Sequence, residues 1–442
     1  MAFVIDQQTL NDLNILGRYK RDSIFSFFSG TITEGGDRLL EKMFQHPFTK
    51  VEQINKRSSI ISFFEKIRVS LPFDTQEFEV FENYLNTPAP RNRVTAGFAI
   101  IRGKLLNVIA NDEAYVLIRE DLEKTIAVLV RLKRFLQSID QQAANIPYRD
   151  EVKRLLGILN NKKFKPVWEC KEVRHLGFKQ LLKLDYILRG LFYDQMEDLL
   201  QGVYAIDVYI TVSNVARKNK YAYAKAVDKS EKYIDIKGVY HPAIANAVAN
   251  DIYIGKDKNV FFLTGANMAG KSTLMKSVGV AVYLAHMGFP IAGKEMTFSV
   301  HDGIYTSINV PDNISKGYSH FYAEVLRVKH IAQEVASKKQ LLVVFDELFK
   351  GTNVKDASEA TISIIDAFSK NKGTFIVSTH IMEAGEALRK NNHSLFFKYL
   401  PTIVEGKVPA YTYQLEKGIT NDRQGMMIIK NERILEIIKG SR

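Results

Sequence analysis

Gly265, Gly270, Lys271 and Ser272 stand at G-x-x-x-x-G-K-[ST] spacing within FFLTGANMAGKSTLMKS, Phe261–Ser277. Two glycines let a main chain approach an anion with no Cβ in the way. A lysine after the second can reach the β- and γ-phosphates of a nucleotide, and a hydroxyl after that can ligate Mg²⁺. Ala266, Asn267, Met268 and Ala269 fill the turn, and Thr273 follows it. About 75 residues later two adjacent carboxylates, Asp346 and Glu347, end the apolar run LLVVF. Asp346 suits a Mg²⁺ held directly or through water, and Glu347 suits a base that orients and deprotonates an attacking water. Further on, His380 ends a second apolar run, FIVST, where an imidazole could sense a terminal phosphate.

These side chains do chemistry together only if the fold brings their backbones to one edge. Val260–Leu263 reads as a buried strand, and Thr273–His286 carries apolar residues at helical spacing. Strand, glycine turn and helix N-terminus make a cradle of free N–H groups at the positive end of a helix dipole. Continuous apolar runs of this kind read as buried parallel strands whose carboxyl ends face the ligand. Asn313–Glu324, NISKGYSHFYAE, precedes an expected helix at Tyr322–Glu334. Ser319 there suits an anion contact or an ordinary helix cap, and the residues alone do not choose. Gly351-Thr352-Asn353 is a polar turn that either faces a partner's nucleotide or closes its loop.

The 442 residues allow two or three domains, and 46% hydrophobic with 25% charged residues is an ordinary globular composition. A net charge of +12 suits a polyanionic partner such as nucleic acid. Cys170 is the only cysteine, which excludes an internal disulfide and fits a reducing compartment. Met1–Ile5 runs into Asp6-Gln7-Gln8 without a basic-then-apolar leader, and the apolar stretch Val278–Ala292 is short for a bilayer. The expectation is a cytoplasmic protein without a membrane partner.

Residues 1–230 read as helical. Leu39, Leu40, Met43 and Phe44 form a helix after Gly35-Gly36, and Val51–Phe64 forms a second. TPAPRNR, Thr87–Arg93, breaks the helical pattern. Tyr115, Ile118, Leu122, Leu129, Leu132, Leu136 and Ile139 fall on alternating three- and four-residue steps, broken at Thr125, as in an antiparallel helix pair or short coiled coil. From His175 to Ala226 a proline-free pattern predicts one long helix or two nearly collinear ones. Most of this region's apolar residues serve helical packing. From about residue 230 strand-like and helical runs alternate, which predicts a doubly wound, largely parallel sheet over 231–442. The tail predicts strands at Ala410–Leu415 and Met426–Lys430 and a helix at Glu432–Lys439.

On these residues the chain resembles the MutS family of DNA mismatch-repair ATPases. TGANMAGKST, Thr264–Thr273, is similar to that family's phosphate loop, with Asn267 and Met268 at its middle positions. DELFKGTN, Asp346–Asn353, looks like its Asp-Glu followed by Gly-Thr, and Ser378-Thr379-His380 matches its switch histidine. GYSHFYAE, Gly317–Glu324, resembles its composite-site signature. Tyr240-His241-Pro242 and Asn250-Asp251 fall where its ATPase domain opens. Ile5–Ile15 and Ser23–Val51 look like the start of its helical core.

The resemblance implies a multidomain chain. An all-α helical core or lever domain over 1–230 would precede an α/β P-loop ATPase domain of ABC type over 231–442, without the family's mismatch-reading and connector domains. It implies an ATP- and Mg²⁺-dependent ATPase, a homodimer or heterodimer. Ser319 would reach the γ-phosphate held by the other subunit, and helical levers would couple ATP to DNA engagement. The family's adenine-stacking aromatic falls at Ala247 here, so the stacking ring would come from Tyr253 or elsewhere. Phe63-Phe64-Glu65 matches the family's Phe-x-Glu reading string but lies in an expected core helix, where packing is its role. The expected function is ATP-dependent DNA binding in repair or recombination, recognising DNA structure rather than a mismatch. The rivals are an ATP-driven dimerisation scaffold without DNA affinity and another ABC-type ATPase. An LSGGQ-type string is missing between Leu274 and Asp346, which argues against the last.

Overall fold

The three- and four-residue steps through Leu122, Leu129, Leu132, Leu136 and Ile139 produce one helix, Glu113–Gln142, with all five side chains buried. It packs against the helices Thr75–Asn86 and Arg149–Leu159. The structure, a computed structural model, describes residues 2–17, 22–87, 113–142, 147–170, 177–308, 320–405, 408–420 and 434–438. It divides into two compact units. One comprises Ser29–Met43 and Ser59–Asn214, and the other Met1–Phe28, Phe44–Ser58 and Val215–Arg442. This differs from the division at residue 230 expected from composition.

In the first unit the described elements are helices around a single apolar cluster that includes Phe78, Phe81, Leu132, Leu155 and Val203. Asp74 and Glu77 close a reciprocal cap on Thr75–Asn86: the Glu77 N–H donates to Asp74 at 2.8 Å, and the Asp74 N–H donates to Glu77 at 3.2 Å. The helix expected after Gly35-Gly36 begins earlier and runs Glu34–Gln45. The Thr33 hydroxyl accepts from the Gly36 N–H at 2.9 Å and itself donates to buried Asp207 at 2.7 Å. Gly35 is glycine for space, since a Cβ there would lie 2.2 Å from the Tyr204 ring. Phe63 and Phe64 are both buried, and Phe64 contacts the Tyr148 and Tyr209 rings.

The long pattern after His175 resolves into Phe178–Asp185, a π-helical stretch Tyr186–Leu191, and Tyr193–Asn219. In the π stretch Arg189 donates to Asp185 at 2.7 Å, and Asp185 also accepts from the Tyr84 hydroxyl at 2.6 Å. The last helix stops at Asn219 rather than reaching Ala226. Tyr193–Asn219, not Val278–Ala292, is long and apolar enough to cross a bilayer, and 72% of its most apolar window is buried inside the protein.

The second unit carries the sheets. Its strands are β1 (Ala222–Val227), β2 (Ile234–Val239), β3 (Asn250–Ile254), β4 (Val260–Gly265), β5 (Pro290–Ile291), β6 (Glu295–Ser299), β7 (Gly303–Ser307), β8 (Leu341–Asp346), β9 (Thr374–Thr379), β10 (Leu395–Leu400), β11 (Thr402–Glu405), β12 (Val408–Tyr411) and β13 (Glu416–Lys417). Among the described residues one sheet runs β13-β10-β4-β9-β8-β7, parallel throughout except for β13. Its interior strands read as continuous apolar runs because every residue of β4, β8 and β9 is buried. Helices Lys271–His286, His320–Ala336, Val354–Ser369 and Met382–Asn391 alternate with those strands along the chain.

A second sheet, β3-β2-β6-β1-β5, is mostly antiparallel and was hidden in the alternation pattern. Its β1 begins at Ala222, in a stretch assigned to helix from composition. β11 and β12 pair with each other, while the strand expected at Met426–Lys430 lies outside the described residues. The tail helix runs Ile434–Ile438.

The chain's first residues belong to this unit. Val4 bridges β7 at Gly303, with its N–H donating to Asp302 at 2.9 Å and its carbonyl accepting from Ile304 at 3.0 Å. The Thr306 hydroxyl donates to Asp12 at 2.6 Å, the Ile308 N–H donates to Asp12 at 3.1 Å, and Arg327 pairs with Asp6.

Candidate active site

β4 ends in Gly265 at the carboxyl edge of the parallel sheet, and the chain turns through Ala266–Gly270 into the helix Lys271–His286. Gly270 caps that helix at φ +94°, a conformation open to glycine at little cost. No side chain caps the helix, so its first-turn N–H groups, which have no intrahelical acceptor, are available to an anion. Gly265 meets the Leu400 carbonyl at 3.2 Å from its Cβ position, a contact too tight for most side chains. Asn267 and Met268 are exposed at the crown of the turn, with Met268 at 74% and φ +70°. Ala269 is buried, and Ala266, Ser272 and Thr273 are half-buried.

Lys271 is 5% exposed and folds back along the turn. Its Nζ donates to the carbonyls of Gly265 at 2.9 Å and Ala266 at 3.1 Å, and lies 3.4 Å from Glu347 Oε1. Strand register brings the acidic pair there. Thr264 of β4 pairs with Thr379 of β9, and Ser378 of β9 pairs with Asp346 of β8. The three strand ends therefore share one edge, with His380 just past β9. Asp346 is buried and accepts from the Ser378 hydroxyl. Among the described residues no cation pairs with it.

Glu347 follows at φ +54°, its N–H donating to Ser378 at 3.1 Å. Phe349 is also left-handed, at φ +65°. Non-glycine residues in that region cost on the order of 1 kcal/mol each, and here two of them lie in the turn that follows β8. Glu347 Oε2 lies 3.3 Å from Lys350 Nζ and 3.7 Å from His380 Nδ1. The His380 imidazole, then the Lys271 and Lys350 ammoniums, hold the Glu347 carboxyl down to about 2 against the upward pull of burial. Glu347 is thus an anion flanked by two ammoniums and the His380 imidazole.

Lys271, Asp346, Glu347 and His380, far apart in sequence, are gathered at one edge beside the turn that carries Ser272. Ser319 lies outside the described residues. Lys350 lies in DELFKGTN with no role that its residue type marks, and its spacing of three from Glu347 is the local sign of the pair.

A cavity of about 440 Å³ opens beside the turn, lined by Tyr240, His241, Ala247, Met268, Gly270 and Tyr413 among others. Tyr253, named as a possible stacking ring, is not among its lining residues. It sits on β3 and is 53% exposed. Of the cavity's two tyrosines, Tyr240 and Tyr413, Tyr413 sits against the turn, its Cδ1 within 3.0 Å of the Cβ position of Gly270. No local pattern could find it, because the residue that fixes it, Asn250, is 163 positions away. The His241 imidazole also lines the cavity, and burial with the nearby Lys276 charge lowers its proton affinity.

The sequence has counterparts in known proteins. The family described as MutS domain V matches residues 261–440. Three relatives are each named "DNA mismatch repair protein MutS". That of Desulfitobacterium hafniense (strain Y51) is 27% identical over 271 residues, covering 59% of this chain and 30% of the relative. That of Caldanaerobacter subterraneus subsp. tengcongensis is 31% identical over 297 residues, 63% of this chain and 33% of the relative. That of Thermotoga sp. (strain RQ2) is 24% identical over 516 residues, 97% of this chain and 63% of the relative. The chain spans less than two thirds of the length of each.

Proposed function

The chain belongs to the MutS family, and we propose that its second unit is an ABC-type ATPase that hydrolyses ATP to ADP and phosphate at the β4–β8–β9 edge. The observation that carries this reading is the convergence of Lys271 and the Asp346–Glu347 pair beside an uncapped helix N-terminus. The triphosphate lies along the turn Gly265–Thr273, its charge met by the first-turn N–H groups and by Lys271. Lys271 must then leave the Gly265 and Ala266 carbonyls for phosphate oxygens. The base occupies the 440 Å³ cavity under Tyr413.

Glu347 holds the attacking water. With its carboxyl held at about 2 it is a poor base while the Lys271 and Lys350 cations and the His380 imidazole surround it. Once phosphate engages Lys271, Glu347 loses one of those cations and its proton affinity rises toward that of a general base. His380 remains within reach of both Glu347 and the terminal phosphate and senses the latter.

The residues present fit a Mg²⁺ ion. Asp346 is a buried carboxylate without a cation partner among the described residues, and Ser272 opens the neighbouring helix. No cluster of three or more protein ligands occurs among the described residues, so the remaining ligands would be phosphates and water, the usual arrangement for Mg²⁺. When bound, the ion offsets phosphate charge in the transition state.

Family membership and the +12 charge support a DNA-binding role in repair, and we propose that the first unit is its helical core or lever and that the protein acts in the cytoplasm without a membrane partner. The family resemblance further leads us to propose a dimer in which Ser319 of one subunit reaches the other's γ-phosphate. The test combines Glu347→Gln with filter binding. The variant retains ATP and loses turnover by about 10²–10⁴-fold. The wild type binds branched or mismatched DNA with a salt-dependent affinity that changes between ADP and ATP. Wild-type turnover in Glu347→Gln refutes the assigned base. ATP-driven dimerisation with no DNA affinity at low salt leaves the scaffold reading in its place.

A further inference from the structure

Asn250, the first residue of β3, is 5% exposed, and its carboxamide is used at both ends. Nδ2 donates to the Tyr413 carbonyl at 2.9 Å and to the Val248 carbonyl at 3.3 Å, while Oδ1 accepts from the Leu415 N–H at 2.7 Å. One side chain thereby takes both backbone groups of the 413–415 segment, as a neighbouring strand would. The residue it brackets is in an unfavourable state: Tyr413 has φ +53° and 44% of its surface exposed, with its ring against Gly270 and 6.1 Å from the Tyr411 ring. A left-handed tyrosine with an exposed ring persists only where its surroundings fix it.

We propose that Asn250 is a positioning residue that holds Tyr413 as the aromatic wall of the nucleotide cavity, so that affinity for the base depends on a side chain that does not read it. The inference rests on the nucleotide reading of the β4–β8–β9 edge. With both Nδ2 hydrogens engaged and the residue buried, Asn250 has no spare donor for a purine. Its effect passes through the Tyr413 ring, whose flat apolar face suits base stacking. Ala247 and Val248 also line the cavity and offer only small or aliphatic groups, whereas Tyr413 brings a ring against the turn at Gly270.

The test compares ATP with inorganic tripolyphosphate, which has the phosphates and no base, by calorimetric titration of the full chain. Asn250→Ala and Tyr413→Ala each weaken ATP binding about tenfold, and the double variant is no weaker than Tyr413→Ala alone. Tripolyphosphate affinity stays unchanged in all three, and KM for ATP rises while kcat at saturation stays within about twofold. Asn250→Asp keeps the acceptor for Leu415 but turns a carboxylate on the Tyr413 carbonyl, and it behaves as Asn250→Ala does. Wild-type ATP affinity in a folded Asn250→Ala overturns the inference, and so does equal weakening toward both ligands or additivity in the double variant. A wild-type protein that binds neither ATP nor tripolyphosphate overturns the nucleotide reading itself, a distinct result.

Discussion

Two buried imidazoles make the sheet unit acid-labile. His286, at the far end of the phosphate-loop helix, is in the neutral tautomer with both nitrogens used. Nδ1 lies 2.7 Å from the Phe48 carbonyl and so carries the proton, and Nε2 accepts from the His301 N–H at 3.2 Å. His301 Nε2 contacts the Thr374 hydroxyl at 3.2 Å, and its Nδ1 has no partner among the described residues. The Phe3 and Phe298 rings close on His286 at 4.6 and 5.1 Å. Burial, and for His286 the neighbouring His301, lowers these groups from 6.5 to about 3 and about 4, opposed at His286 by the Phe48 carbonyl and then Asp302, and at His301 by the Ser299 backbone.

Both folded values lie below the unfolded one. Their contribution is therefore complete above pH 6.5 and is lost as pH falls toward 4 and 3. At pH 5, about 1.5 units below the unfolded value, each histidine costs about 2 kcal/mol, so the pair costs about 4 kcal/mol relative to pH 7.5. The assay is hydrogen exchange of amides in Lys271–His286 at pH 7.5, 6.5 and 5.0, corrected for intrinsic rates. The opening free energy falls by that amount in the wild type, by about half as much in His301→Gln, and little in His286→Gln/His301→Gln. An equal fall in wild type and double variant would refute the reasoning.

Three further outcomes follow from the geometry. Lys271→Met removes the ammonium that meets the phosphates, and ATP binding measured by calorimetry drops at least tenfold while thermal stability barely changes. Retained ATP affinity would contradict its role. Asp346→Asn keeps the Ser378 contact but weakens Mg²⁺, so half-maximal turnover shifts to higher Mg²⁺. An unchanged Mg²⁺ titration would exclude Asp346 as a ligand. Gly35→Ala drives a methyl into the Tyr204 ring and destabilises the helical unit by about 1–3 kcal/mol. An unchanged urea midpoint would show that the ring moves freely aside.

Legibility followed the range of each interaction. The phosphate turn, the acidic strand end and His380 are local strings on strongly apolar strands, and periodicity finds such elements. Parallel register then brings them together without further information, since β4, β9 and β8 are neighbours. Tyr413 was invisible because nothing near it in sequence marks it: a side chain on β3 fixes its place. β1 was missed because Ala222–Val227, AYAKAV, carries little β-branching and follows a long helix. Gly35-Gly36 suggested a break before a helix, whereas they lie inside it because Tyr204 and Asp207 leave no room for larger side chains.

The bridge from Val4 to β7 has a practical consequence. β7 ends the parallel sheet, and its outer main-chain groups at Asp302 and Ile304 are satisfied by Val4. Gly303 allows that approach, since a Cβ there would come within 2.2 Å of the Val4 oxygen. A shortened polypeptide starting at residue 231 would bare that border and strand the Thr306 and Ile308 donors. Such a fragment is expected to self-associate edge to edge, and sedimentation against the intact chain would reveal it.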